Sequence, residues 1–169
     1  MEGVNPRMFG GGFAALRVLF GLIWLTNGLA KVFLNQNNNL DWGFISFNLV
    51  NQPAARGILD GASRNTWQPL RWIYHDFVLG NWGFFAWFLT FAEIAAGLLL
   101  LLGIAARLGA TVGLLLIGPI WIMLLPTNLY LWEYLNELFP LLLLAIVPAG
   151  RVFGQDRKLA ARFGGRWPF

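Results

Sequence analysis

The chain has no cysteine, a single histidine and few charges. Without thiols it forms no disulfide, has no thiolate nucleophile and offers no cysteine ligands to zinc or an iron–sulfur cluster. One histidine, His75, excludes bis-histidine haem ligation within one chain, and no metal site is expected. Charged residues make up 12% of the 169 positions, whereas a soluble domain carries about 25%. Residues 1–12 are not expected to form a cleavable signal peptide. The apolar run after residues 1–12 is too long for a signal core and lacks a small-residue cleavage site, so it is expected to stay as a first membrane span. The net charge of +4 comes mainly from Arg151, Arg157, Lys158, Arg162 and Arg166 in the tail. Basic residues beside a span follow the positive-inside rule, so no nucleic acid partner is expected.

What the chain has instead is apolar length. Hydrophobic residues make up 57% and the mean hydropathy is +0.60, which places it among integral membrane proteins. Four runs have the ~17–25 residues a span requires: about 13–34, 82–104, 108–125 and 131–148. Continuous leucine runs such as 98–102 and 141–144 cannot alternate as barrel strands do. The expected fold is therefore all-α, an integral membrane four-helix bundle forming a single domain. Arg7, Arg107 and the basic tail 149–169 share one side, while Arg56, Arg64 and Arg71 in the loop 35–81 are balanced by Asp41, Asp60 and Asp76. This asymmetry predicts a multi-pass protein of the cell (inner) membrane with both termini cytoplasmic.

The loop 35–81 is too aromatic for disorder and too long for a plain connection. Trp67, Leu70, Tyr74, Phe77 and Val78 recur at three- and four-residue steps, which predicts a short helix with one apolar face. An extracytoplasmic cap between helices 1 and 2 is expected, with one or two short helices in the interface. Trp82, Trp87, Tyr130, Trp132 and Tyr134 suit an outer aromatic belt. Gly109 and Gly113 offer a close helix approach.

Polar residues inside the spans carry the functional argument. Glu93 sits mid-run, where a carboxylate costs roughly 2.5–3.5 kcal/mol on insertion scales and needs a partner. At 1.5 Å per residue, Lys31 lies roughly 5 Å, Asn27 and Glu137 roughly 10 Å and Glu93 roughly 16 Å from the outer span ends. Asn27 and Lys31 share a face of span 1, and Glu133 and Glu137 share a face of span 4. Two readings follow. In one, Lys31 pairs with Glu93 or Glu137 and fixes helix register. In the other, Lys31, Glu93 and Glu137 are catalytic groups in one outward-opening chamber, with Asn27, Glu133 and His75 contacting substrate. Crowded carboxylates do not all ionise, and one could exchange a proton with a ligand. Arg17, near the other end of span 1, is expected to snorkel.

Three segments resemble a known family: Leu16-Arg17 through Gly28-Leu-Ala-Lys31, Glu93-Ile-Ala-Ala-Gly97 through Gly103-Ile-Ala-Ala-Arg107, and Gly150-Arg151-Val-Phe-Gly154-Gln-Asp156-Arg157. Together they resemble the DoxX family, and the long first outer loop is most similar to its DoxD branch. That resemblance implies a membrane subunit of the thiosulfate:quinone oxidoreductase type. It implies quinone as substrate, a sulfur compound as electron donor and a second protein subunit, with self-association open. The contrasting expectation is a non-catalytic scaffold or assembly subunit.

Overall fold

A helix crosses an apolar phase because every backbone N–H and C=O is paired within it, and the long apolar runs of this chain fold accordingly. The computed structural model describes residues 6–34 and 39–169, except the side chains of Pro6 and Tyr134. Helix α1 is Pro6–Phe33. Strands β1 (Asn39–Asp41) and β2 (Ser46–Asn48) then pair as an antiparallel hairpin. Helix α2 is Gln52–Arg64, followed by a π-helical segment at Trp72–Val78. Helices α3 (Trp82–Leu102), α4 (Ala106–Leu124) and α5 (Leu131–Ile146) follow, and a short α6 (Asp156–Arg162) lies in the tail. The architecture is all-α apart from the hairpin.

Among the described residues, three helices are long and apolar enough to cross a membrane: Arg7–Phe33, Trp82–Leu102 and Ala106–Thr127. The fourth expected span is shorter. Helix α5 has 16 residues, about 24 Å at the α-helical rise. Val147 leaves it in an extended conformation just before Pro148.

The tightest packing is between α1 and α3, where glycines admit backbone. A Cβ at Gly97 would lie 2.5 Å from the Leu25 nitrogen, one at Gly21 would lie 2.6 Å from the Leu101 nitrogen, and Gly28 abuts Ile94 in the same way. Contacts 21 to 101, 25 to 97 and 28 to 94 define one antiparallel register. It sets the end of α1 level with residue 89, so α3 projects about 10 Å farther. Next, α4 lies along α3, with Gly109 against Ala96 and Leu99, and α5 lies along α4.

Two apolar cores result. One, nearer the termini, joins Phe20, Leu100, Ala110, Leu141, Leu144 and Ala149. The other seats the cap, with Leu59, Ala62, Val78 and Leu79 around Met123 of α4. Outside them, Leu19, Leu22, Phe84, Phe88, Phe91, Leu115 and Phe139 are exposed, as suits a lipid-facing surface. The cap differs from its expected face: Leu70, Tyr74 and Val78 pack inward, but Trp67 and Phe77 are about half exposed. Their i, i+3 and i+4 steps assumed 3.6 residues per turn, and the π segment is wound more loosely. Of the expected aromatic belt, Trp87, Tyr130 and Trp132 are exposed, whereas Trp82 packs beneath the cap. Tyr134's side chain lies outside the described residues.

Candidate functional site

Two residues one turn apart on α1 create the main polar site. Lys31 Nζ lies 2.7 Å from Glu93 Oε2 across the α1–α3 seam. The same Nζ donates to the Val50 carbonyl at 2.7 Å. Asn27 completes the arrangement: its Oδ1 accepts the Val50 N–H at 2.7 Å, and its Nδ2 donates to the Ile23 carbonyl. Both backbone groups of Val50 are thus held by α1. The next residue, Asn51, caps α2 by accepting from the Ala54 N–H. The polar face of span 1 therefore fixes where the cap helix begins, in the step left where α1 ends short of α3.

Burial makes this arrangement energetically decisive. The Lys31 side chain is 2% exposed and that of Glu93 is 15% exposed. An ammonium in such surroundings is tolerated only with a counter-ion and further acceptors, and Glu93 and Val50 supply both. Chemically, the pair is an acid–base couple inside an apolar seam, its glutamate side chain the less buried of the two.

The other site candidates lie elsewhere. Glu137 sits half-buried on α5 beside Trp121 of α4, and among the described residues the ion-pair partner of Lys31 is Glu93. The Lys31–Glu93 contact joins α1 to α3, whereas Glu137 lies on α5, which packs along α4. Glu133 has a local role. Its Oε2 accepts the Tyr130 N–H at 2.7 Å, as an acid at the third position of a helix does in a capping box. That first-turn placement was a signal available in the sequence.

His75 belongs to a groove in the cap, apart from the Lys31–Glu93 pair. Its Nδ1 is 3.3 Å from Asp60 Oδ1, although Asp76 is its neighbour in sequence. Arg64 grips Asp60 through Nε at 3.0 Å and a terminal nitrogen at 2.6 Å. That hydrogen bond, aided by the charges of Arg64, His75 and Arg56, holds the Asp60 carboxyl below the usual carboxylate range. Burial alone pushes the nearby Tyr74 phenol up. The groove has a volume of about 800 Å³ and is lined by α2 residues from Gln52 to Arg64, His75, and 79–80 with Trp82.

A second polar node forms at the end bearing the termini, built from residues that sequence reasoning had scattered. Arg17 does not snorkel: it is 1% exposed. Its guanidinium donates to the Leu100 carbonyl at 2.8 Å and the Phe153 carbonyl at 3.2 Å, joining the last turn of α3 to the tail. Asp156, also buried, accepts the Ala105 and Ala106 N–H groups at 2.6 and 2.9 Å and so caps the start of α4. Gly103, at φ 62°, leaves the room Arg17 occupies, and Gly150 leaves room for the Asp156 carboxylate. Arg107 donates to the Ala145 carbonyl at 3.1 Å and ties α4 to α5. Most of the charged and glycine residues in the three quoted segments thus meet in this node or in the α1–α3 seam.

Comparison with protein-family models, with curated proteins and with solved structures finds no match to this chain.

Proposed function

We propose that the chain is a DoxX/DoxD-like integral membrane subunit of a quinone-linked redox system of the thiosulfate:quinone oxidoreductase type. In this reading α5 completes a four-helix membrane bundle in the inner membrane. The termini are cytoplasmic and the cap faces outward, in keeping with the basic tail. The observation that carries the redox assignment is the Lys31–Glu93 pair, an ionisable couple inside apolar helices whose glutamate side chain is 15% exposed. Ionisable residues at such depth commonly mark proton or ligand paths.

The geometry refines the roles. Lys31 and Asn27 are engaged with Val50, so Glu93 is the group that exchanges a proton with the quinone oxygen and Lys31 is its counter-ion. Reduction of quinone to quinol takes two electrons and two protons. The electrons come from a sulfur donor oxidised on the outer side with a second subunit, and Glu93 passes protons. The test is extraction of the protein purified in native lipid, followed by donor-dependent quinone reduction with wild type and Glu93→Gln in the assembled complex. Co-purifying quinone and a loss of turnover of about 10²-fold or more, the scale of a lost general acid–base group, are expected. A quinone-free wild type together with unchanged turnover in Glu93→Gln rejects the assignment.

A second reading has its own observation. Because the polar face of α1 holds the Val50 backbone, the pair also serves as a latch for the cap, as a membrane scaffold requires. A scaffold has a stoichiometric partner. Crosslinking in membranes would then recover that partner from wild type and from Glu93→Gln alike, and lose it when the cap or tail is altered.

A further inference from the structure

The cap groove holds an unbalanced set of charges that neither reading of Glu93 uses. Gln52, Arg56, Asp60 and Arg64 follow one another at four-residue steps on α2, so they form one ladder along a single helix face. Asp60 is fully engaged: Arg64 holds it with two hydrogen bonds and His75 approaches it at 3.3 Å. Arg56, one turn away, makes no hydrogen bond or ion pair among the described residues, yet it lines the same groove. With two arginines against one aspartate, the lining has an excess positive charge. Leu79 and Trp82 add apolar surface to the same groove. On the π segment that also carries His75, Trp72 and Phe77 stack at 6.3 Å and are both half exposed.

A groove of about 800 Å³ is far larger than a bare oxyanion, and its mixed charged and apolar lining asks for two kinds of group. The geometry points to a binding site for a phosphate-bearing headgroup, with the phosphate on Arg56 and its organic part against Leu79 and Trp82. Arginine suits this because its planar fork pairs with phosphate oxygens two at a time. Asp60 serves as a positioning residue by orienting Arg64 and His75 toward the ligand. The phosphate can belong to an anionic membrane lipid or to a soluble molecule, and the exposed Trp72–Phe77 pair favours the lipid as an anchor for its chains.

The test uses the full chain in a neutral detergent. Short-chain phosphatidylglycerol, short-chain phosphatidylcholine and inorganic phosphate are titrated separately, and bound ligand is counted by native mass spectrometry. Wild type is expected to bind phosphatidylglycerol about tenfold more tightly than phosphatidylcholine. Arg56→Gln is expected to lose about tenfold, the scale of one charge-assisted contact. Arg56→Lys, which keeps the charge, should recover part of that loss. Lys158→Gln with Arg162→Gln, on the separate basic tail, should leave binding unchanged. Arg56-dependent binding of inorganic phosphate as tight as that of the lipid also supports the site but assigns it to a soluble ligand. Equal lipid binding by wild type and a folded Arg56→Gln, or loss only in the tail variant, overturns the site.

Discussion

Lysine and glutamate are each costly inside apolar helices, and here each lowers the cost of the other. Asn27 and Lys31 lie one turn apart and hold the N–H and C=O of one residue, Val50. Asn27→Leu keeps the volume but leaves the half-buried Val50 N–H without its acceptor. It should therefore reduce stability by about 1 kcal/mol, the low end for an unsatisfied donor. Thermal unfolding in detergent measures the loss, and hydrogen exchange should show it first at the start of α2. Much of this site was legible in the sequence. Opposite charges in neighbouring apolar runs, and polar residues at i and i+4, pointed to Lys31, Glu93 and Asn27. Val50 was not legible, because a backbone carbonyl has no residue-type signature. Arg17 misled for a related reason: its partners are carbonyls at residues 100 and 153, far away in sequence, so its place near a helix start read as snorkelling.

At the scale of elements, the α1–α3 seam sets the level at which these side chains meet. Gly21, Gly28 and Gly97 let backbone approach backbone, and this close approach brings Lys31 to Glu93. Gly97→Leu would meet Leu25 backbone and must push the helices apart. Overpacking of this kind costs roughly 1–3 kcal/mol. The expected result is a lower unfolding temperature and weaker crosslinking between cysteines introduced at 32 and 90, which share the seam register, with the α4–α5 contact unaffected. Unchanged crosslinking would remove the seam from the account. The seam was only half visible in sequence. The spacing of Gly109 and Gly113 drew attention as a familiar pattern, whereas the α1 glycines are seven apart and match no short motif. The hairpin 39–48 was also missed, because its strands have three residues each and too little alternation to detect. Long apolar runs did disclose α1, α3 and α4, since length and hydropathy are enough to specify a helix where water is absent.

On the scale of the whole molecule, the chain divides into a glycine-packed bundle, a node near the termini and a cap. Arg17 and Asp156 brace the first end, and Val50 is the tie at the other. The absence of cysteine makes the proposed orientation simple to check. Single cysteines at 43 in the hairpin and at 164 in the tail should label from opposite sides of intact membranes, and labelling of both by one impermeant reagent would contradict an even number of crossings. The most direct measurement of the central claim is a double-mutant cycle on Lys31→Met and Glu93→Leu, followed by reversible unfolding in detergent. Each single change strands a buried charge and should cost about 3–5 kcal/mol, while the double change, which strands none, should lie near wild type. Two small losses that simply add would contradict the claim that these residues form one buried unit.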